Sequence, residues 1–250
     1  MYIPEPTPDV LELVERHPRI APLVDDLSHT GMLILERIAI PNTTRRIDVV
    51  RPADIDPLLD LNADDPEQNL PYWAEIWPSG IALATTLFHD PGLVNGKPVI
   101  ELGSGVGITA AAAIAGGANL TATDYAPESL TMTRVTCQVH ARRQPETRQV
   151  NWRSPDADLF RESGDRWPVV LAADVLYEER DIEPVLAVFD RILAPGGSVL
   201  LAEPGRRPSR RAVERAREQG WHIDTTSMKA NWPDPKDAGV VVNIHRMTRA

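Results

Sequence analysis

Residues 99–107, VIELGSGVG, join an apolar segment to a glycine-rich turn, and this stretch decides the fold. The segment 98–102 is short and apolar, which predicts a strand, and the alanine-rich segment 108–114 predicts a helix that stops at Gly116 and Gly117. A strand, a glycine turn and a helix in this order form the first unit of a doubly wound sheet. Ligands of such sheets bind beyond the carboxyl ends of the strands, so the turn is a candidate binding site.

Strand and helix patterns alternate over the rest of the chain. This alternation predicts an α/β fold, a doubly wound and mostly parallel sheet of seven strands with helices on both faces. The further strands are predicted at 120–123, 149–152, 169–173, 198–202, 221–226 and 240–246, and the helices at 127–143, 182–193 and 209–219. Ser79 is predicted to cap an earlier helix that runs to about His89. The last two strands have no helix between them, so we expect them to pair antiparallel at one edge.

The first 70 residues differ from the rest of the chain. They are predicted to form an N-terminal extension of helices and strands that covers one end of the main domain, residues 71–250. Thr7 and Pro8 predict the start of a helix that ends at Pro18. An amphipathic stretch follows at 20–38, then a short strand at 46–50 and a solvated acidic loop at 54–68.

The composition restricts the partners and the compartment. Twenty-six Lys and Arg against 36 Asp and Glu give a net charge of −10, which disfavours nucleic acid as a partner. The single cysteine, Cys137, cannot form a disulfide within the chain, and the six histidines lack a metal-binding spacing, so we expect a reducing compartment and no metal site. No window of 18 consecutive apolar residues and no secretion-signal pattern occurs, so we expect no membrane partner and a cytoplasmic location.

The spacing within the glycine turn helps to separate two classes of cofactor. Glycines let the backbone turn sharply and approach an anionic or polar group. The dinucleotide fingerprint needs a third glycine three places after the second, where this chain has Ile108. Glu101, two residues before the turn, would repel a pyrophosphate but suits the cationic amino group of a methionine moiety. The turn therefore favours S-adenosylmethionine over a nicotinamide or flavin dinucleotide.

Asp124 directly follows the second strand of the main domain. It lies 19 residues after Gly105, where a carboxylate can accept hydrogen bonds from both hydroxyls of a ribose. Both cofactor classes contain this ribose, so Asp124 predicts an adenosine ligand without choosing between them. The alternative interpretation is that Asp124 only caps the following helix.

Several motifs resemble a known enzyme family. VIELGSGVG and the run ILAPGGSVLLAE at 192–203 resemble the first motif and the turn before the fifth strand of class I, seven-strand S-adenosylmethionine-dependent methyltransferases. PYWAEIWPSG at 71–80, LAADVLYEE at 171–179 and Trp152 resemble the branch of protein-lysine methyltransferases that acts on the β-subunit of electron-transfer flavoprotein and on chaperones, also described as nicotinamide N-methyltransferase-like. The resemblance covers about residues 71–205. One departure is Thr123-Asp124, where relatives that act on the flavoprotein subunit usually have Asn-Asp.

The resemblance implies a set of site residues around S-adenosyl-L-methionine. Asp174 and Tyr177 match an Asp-x-x-Tyr motif at the acceptor site and are the expected catalytic residues. Apart from the resemblance, Tyr72 and Trp73 are expected to form aromatic walls around the substrate together with Trp77, although the two tryptophans could instead form a hydrophobic cap. The residues expected to bind the cofactor are Trp77, Glu101, Gly103, Ser104, Gly105, Asp124, Tyr125, Trp152 and Ala173.

The function that these observations predict is N-methylation of a protein lysine. Burial against aromatic walls would help the amine to lose its proton, and Asp174 would orient the acceptor nitrogen. A small amine or a heterocyclic nitrogen is the alternative acceptor, and a nicotinamide-dependent oxidoreductase or a non-catalytic cofactor-binding protein are the alternative functions. For single features, Asp174 could instead cap a helix, and the arginine-rich stretch 206–217 is interpreted as a solvated helix face. The sequence does not predict an oligomeric state.

Overall fold

The computed structural model describes residues 7–61, 65, 67, 69–155 and 166–249. Its strands are β1 (Leu33–Ala39), β2 (Arg46–Pro52), β3 (Pro98–Leu102), β4 (Asn119–Asp124), β5 (Glu146–Gln149), β6 (Trp167–Ala173), β7 (Leu193–Glu203), β8 (His222–Lys229) and β9 (Val241–Thr248). Its α-helices are α1 (Pro8–Arg16), α2 (Ala21–Asp26), α3 (Asp56–Leu61), α4 (Pro78–His89), α5 (Ile108–Ala115), α6 (Pro127–Ala141), α7 (Ile182–Ile192) and α8 (Arg207–Glu218). Within these described ranges, no helix has both the length and the apolar character that a bilayer crossing needs.

The main sheet has seven strands in the order β5-β4-β3-β6-β7-β9-β8. Neighbouring strands pair in parallel from β5 to β7, whereas β9 pairs antiparallel with both β7 and β8. The predicted doubly wound sheet with an antiparallel edge is therefore confirmed. Strand order reverses between β3 and β6, because β4 and β5 extend the sheet to one side of β3 while β6 and β7 extend it to the other.

Helices cover both faces of the sheet because successive strand residues point to opposite sides. In β3, Val99 belongs to the apolar cluster that contains α4, α5 and α6 residues. Ile100 and Leu102 belong to a second cluster that contains α7 and α8 residues. The chain therefore leaves β3 towards one face, through α5, and leaves β6 towards the other, through α7.

The N-terminal residues pack on the α5 and α6 side of the sheet. β1 and β2 form an antiparallel hairpin, and β2 contacts α5 and α6. The backbone N–H of Asp48 donates a 2.6 Å hydrogen bond to Nε2 of His140, and Val10 and Leu13 share the apolar cluster of the main domain. The amphipathic stretch 20–38 is one helix and one strand, α2 and β1, separated at Gly31, whose φ is +107°. The division of the chain at residues 70 and 71 stays a prediction.

Three local predictions are wrong. The strand predicted at 149–152 is β5, three residues earlier, because its register with β4 pairs Gln149 with Asp124 and ends there. The acidic segment 54–68 contains α3, while residues 62–64, 66 and 68 of that prediction lie outside the described residues. Ser79 is the second residue of α4, whose N-cap is Trp77, and its side chain makes a tertiary contact instead of a cap.

Gly107 lets α5 and α6 approach closely behind the glycine turn. Its φ is +84°, and a Cβ at this position would lie 2.7 Å from Cα of Thr133 on α6. Gly220, which follows α8, has a similar φ of +88°, but a Cβ there would meet no atom within 4 Å among the described residues. Alanine substitutions at the two positions therefore separate the cost of a left-handed residue with a Cβ from the cost of a steric clash.

We expect Gly220→Ala to lower the free energy of unfolding by about 1–2 kcal/mol, the cost of a left-handed residue with a Cβ. Gly107→Ala should lower it by roughly 1–3 kcal/mol more, because the added methyl group also overpacks the contact with Thr133. Denaturant unfolding of both variants measures the difference. Equal losses in the two variants would mean that α6 yields to the methyl group without cost.

Candidate functional site

The candidate site lies where strand order reverses, beyond the carboxyl ends of β3 and β6. Crevices form at such points because the chain leaves the two neighbouring strands towards opposite faces. A main cavity of about 660 Å³, including its open side, occupies this crevice. An inner pocket of about 350 Å³, including its open side, adjoins the main cavity at the glycine turn. An outer cavity of about 1180 Å³, including its open mouth, adjoins it on the side of Asp174.

The glycine turn forms the floor between the main cavity and the inner pocket. Gly103 has φ +67°, and a Cβ there would lie 2.9 Å from Cγ1 of Val175 and 3.5 Å from the ring of Trp152. Gly105 has φ +52°, and its Cβ would lie 3.4 Å from the carbonyl oxygen of Trp73. The positive φ of both residues favours glycine, and at Gly103 a Cβ would also clash with Val175.

Asp124 fixes the glycine turn to the end of β4. Its Oδ2 accepts a 2.9 Å hydrogen bond from the backbone N–H of Gly105, and its Oδ1 accepts a 3.1 Å bond from the N–H of Ala126. Ala126, and not Asp124, is the N-cap residue of α6. Burial raises the pKa of Asp124, and the hydrogen bonds that its carboxylate accepts, first of all from the N–H of Gly105, partly oppose this rise. Asp124 also lines the main cavity, so it joins the turn to the site.

Glu101 is a carboxyl group without a hydrogen-bond partner at one of its oxygens. Its residue is 1 % exposed, and Oε2 has no partner among the described residues. It lines the inner pocket together with Gly103 and Ser104. Burial, and secondly the nearby negative charge of Asp124, raise the pKa of Glu101 well above its usual range. A cationic group in the inner pocket would supply the missing partner.

Asp174 follows β6 directly and lies between the main and outer cavities. Its φ is +57°, a left-handed conformation that Asp and Asn adopt more readily than other residues with a side chain. Oδ1 accepts a 2.6 Å charged hydrogen bond from Nη1 of Arg206, and Oδ2 accepts a long, 3.4 Å bond from Oγ of Ser79. Burial raises the pKa of Asp174 to about 6, although Arg206 lowers it. No described helix begins at Asp174, so the alternative that it caps a helix is wrong.

Aromatic rings form the wall beside Asp174. Tyr72 contacts Trp77 and Tyr177 edge to face, with ring centroids 5.8 Å and 5.6 Å apart. The Nε1 of Trp77 donates a 2.9 Å hydrogen bond to the carbonyl oxygen of Tyr72, which fixes the indole ring. The guanidinium carbon of Arg206 lies 5.1 Å from the centroid of Trp77. The outer cavity is therefore a place where aromatic faces and a carboxylate meet a cation.

A buried ionic network supports the opposite side of the main cavity. Nε1 of Trp152 donates a 3.0 Å hydrogen bond to Oδ1 of Asp181, and Nε of Arg153 donates a 2.7 Å bond to the same oxygen. Nη1 of Arg153 also donates 3.0 Å and 3.1 Å bonds to Glu67 and Asn69. Asn69 lines the main cavity, so this network ties the segment before α4 to the site.

The structure brings all the predicted site residues together on the main cavity or the inner pocket. Trp73 lines the main cavity but, unlike Tyr72, Trp77 and Tyr177, it does not line the outer one. The individual roles of the site residues stay predictions. The residues that line these spaces are Tyr72, Trp73, Trp77, Glu101, Gly103, Ser104, Gly105, Asp124, Tyr125, Trp152, Ala173, Asp174 and Tyr177.

Arg206 is the main residue of the site that sequence reasoning misses. The interpretation of 206–217 as a solvated face holds for Arg207 and Arg211, which are exposed and pair with Glu179. Arg206 instead turns towards Asp174. Its position in the sequence could have indicated a place in the site, because it follows the carboxyl end of β7, at the same edge of the sheet as the glycine turn.

Comparison with known proteins gives consistent findings. Residues 59–215 match the family model described as lysine methyltransferase. The electron transfer flavoprotein beta subunit lysine methyltransferase of Xenopus laevis is 32% identical over 139 residues, which are 54% of this chain and 53% of that protein. The chain thus spans about half the length of the curated relatives it matches.

Solved structures share the fold at lower identity. TrmN from Thermus thermophilus matches with a TM-score of 0.53 and 17% identity, over 68% of this chain and 49% of that chain. The glycopeptide N-methyltransferase MtfA, complexed with sinefungin, matches with a TM-score of 0.51 and 16% identity, over 70% of this chain and 96% of that chain.

Glu101→Gln should make the ligand-free protein more stable at neutral pH. Because the pKa of Glu101 is raised in the folded state, the unfolded chain ionises first, and the parent loses stability as the pH rises above the ordinary carboxyl pKa of about 4.5. The variant lacks this loss, so its gain in melting temperature should shrink as the pH falls towards that value. Thermal unfolding across this pH range measures the effect, with the exposed Glu15→Gln as control. A variant that melts below the parent at pH 7 would contradict the cost assigned to the buried carboxyl group.

Proposed function

The chain belongs to the lysine methyltransferase family, and we propose that it transfers the methyl group of S-adenosyl-L-methionine to the side-chain nitrogen of a lysine in another protein. The observation that carries the proposal is the position of Asp174. This buried carboxylate lines both the main cavity, which suits the cofactor, and the outer cavity, which opens to the surface. An amine that enters from outside would meet the cofactor beside a hydrogen-bond acceptor.

The residues present fit S-adenosyl-L-methionine. The unpartnered Oε2 of Glu101 in the inner pocket suits the amino group of the methionine part. Gly103 and Gly105 line both the main cavity and the inner pocket without a side chain. Asp124 on the main cavity suits the ribose hydroxyls, and Tyr125, Trp152 and Ala173 line the same cavity, where we place the rest of the nucleoside. When bound, the cofactor supplies an electrophilic methyl group on a positively charged sulfur.

The chain's own residues have three tasks in this reaction. The aromatic wall of Tyr72, Trp77 and Tyr177 surrounds the acceptor and excludes water, which favours the neutral amine over the ammonium ion of a lysine with its usual pKa of about 10.4. Asp174 accepts a hydrogen bond from the amine and so aims the nitrogen lone pair at the methyl group. The proton that the amine releases passes to Asp174 or to water at the mouth of the outer cavity.

An acceptor lysine on a protein fits the site better than a small amine. A closed lid from the first 60 residues would favour a small molecule. Among the residues that the structure describes, none before Asn69 lines the main or the outer cavity. The relative from Xenopus laevis is named for a protein substrate, the electron transfer flavoprotein beta subunit.

The cellular setting is part of the proposal. Cys137 is a buried free thiol, which suits a cytoplasmic protein. The net charge of −10 disfavours nucleic acid as the acceptor. The proposed reaction involves no membrane partner.

Two measurements test the proposed function. Calorimetric titration should show binding of S-adenosylhomocysteine and none of a nicotinamide dinucleotide. Incubation of the purified protein with methyl-labelled S-adenosylmethionine and a cell lysate should then label lysines, which mass spectrometry locates, and recombinant electron transfer flavoprotein beta subunit is the first defined substrate to try. Binding without any labelled protein would point to a small acceptor or a sensor, and binding of the dinucleotide alone would refute the proposal.

Asp174→Asn should retain cofactor binding and lower kcat by at least about 100-fold, the scale of a lost acid–base group. Asn keeps the left-handed backbone conformation at low cost, so the fold should persist. In the parent, kcat/KM should fall more steeply as the pH falls through about 6, because Asp174 of the free protein then gains a proton in addition to the acceptor amine. The variant should lack this additional fall and keep only the pH dependence of the acceptor amine.

Asp190→Asn, which breaks the surface ion pair with Arg249, is the matched control and should leave the activity unchanged. A parent-like kcat in Asp174→Asn would remove Asp174 from the mechanism. A normal kcat with weakened cofactor binding would instead assign it to the cofactor.

A further inference from the structure

Arg206 meets the two groups that the mechanism assigns to the acceptor lysine. Its Nη1 lies 2.6 Å from Oδ1 of Asp174, and its guanidinium carbon lies 5.1 Å from the centroid of Trp77. A carboxylate and an aromatic face are also what would receive the ammonium end of an arriving lysine, before it loses the proton that transfer requires. Arg206 lines the outer cavity together with both of these residues.

The contact differs from the ordinary surface ion pairs of the same helix region. The side chain of Asp174 is 5% exposed, and that of Arg206 is 37% exposed. The adjacent Arg207 is 78% exposed and lies 3.6 Å from Glu179, a carboxylate that is itself 44% exposed. The side chain of Arg206 therefore reaches from the solvent to the buried carboxylate of Asp174, whereas the side chain of Arg207 stays at the surface.

The backbone that carries Arg206 is fixed independently of its side chain. The buried carboxylate of Glu203 accepts a 2.5 Å hydrogen bond from the N–H of Gly205 and a short bond from Oγ of Ser209. A 2.8 Å bond from Nδ2 of Asn243 holds the same carboxylate in place. The side chain of Arg206 can thus leave Asp174 without a change in the loop.

We propose that the guanidinium group of Arg206 occupies, in the free protein, the position that the acceptor amine takes during transfer, and that it thereby selects acceptors carried by a protein. This inference rests on the function proposed above. Guanidinium stays protonated at all working pH values and is a poor nucleophile, so Arg206 holds the position without being consumed. A free small amine has only its own contact with Asp174 to offer in exchange. A lysine on a protein brings the contacts of the surrounding surface as well.

The test places an amine at this position. In Arg206→Lys, the Nζ lone pair should form a bond to the methyl carbon of added S-adenosylmethionine while the C–S electron pair stays on sulfur. The products are methyl-lysine at position 206, S-adenosylhomocysteine and a proton released to water. The matched control is Arg207→Lys. Both variants also carry Lys236→Arg. Nζ of Lys236 lies 6.0 Å from the centroid of Trp77, so this amine would compete with the introduced lysine for the methyl group.

Mass spectrometry measures methylation at each position, and Lys97 and Lys229 are the only other lysines in these variants. We expect at least tenfold more methyl at position 206 than at position 207, with a first-order rate constant that tenfold dilution leaves unchanged, as transfer within one molecule requires. Equal methylation at both positions, or a rate constant that falls on dilution, would overturn the inference.

Calorimetry with S-adenosylhomocysteine and thermal unfolding show whether Arg206→Lys is folded and binds the cofactor. With binding intact, an unmethylated position 206 overturns the inference. If Arg206→Lys fails to bind, Arg206→Met provides the second measurement: its KM for the first protein substrate found should fall at least tenfold with little change in kcat, and an unchanged KM overturns the inference. A parent that labels no protein in the lysate refutes the proposed function itself, whereas labelling by the parent with either negative result refutes only the role of Arg206.

Discussion

The site depends on one constraint of the sheet: β3 and β6 pair in parallel, but the chain leaves them towards opposite faces. This divergence opens a crevice that neither strand can fill. The chain must turn sharply at both strand ends, and it does so with left-handed residues, three glycines after β3 and Asp174 after β6. Left-handed backbone is costly for most residues, so the fold itself selects the small or short polar side chains found there.

Three carboxyl groups at this crevice differ in how their burial is offset. Asp124 accepts backbone hydrogen bonds from the glycine turn, and Asp174 accepts a charged bond from Arg206. Glu101 has an oxygen without a partner among the described atoms. Because desolvation of a lone carboxylate is costly, burial raises the pKa of Glu101, and a cation in the inner pocket would supply the missing partner. The buried carboxyl group of Glu101 therefore lowers the stability of the free protein, and a cationic ligand would offset part of that cost.

The features that depend on neighbouring residues could be predicted from the sequence. Strand β3, the glycine turn and α5 follow from local pattern, and so does the placement of Asp124 and Asp174 at the carboxyl ends of strands. The pairing of Arg206 with Asp174 joins residues far apart in sequence and depends on how β7 and β6 align, which no local pattern contains. The shift of β5 has a similar cause: Val150 and Trp152 suggest an inner strand, but the edge strand is polar and its end is set by the register with β4.

The choice of arginine at position 206 follows from the chemistry of the acceptor. A group that holds a carboxylate beside a methyl donor must be cationic, or Asp174 would be buried without a counter-charge. A lysine would satisfy the charge, but its neutral amine would be a much stronger nucleophile than a guanidinium group. A guanidinium group keeps its charge and delocalises its lone pairs, so it binds the carboxylate without reacting at the rate of an amine. The residue that protects the buried carboxylate is thus one that the reaction itself can tolerate.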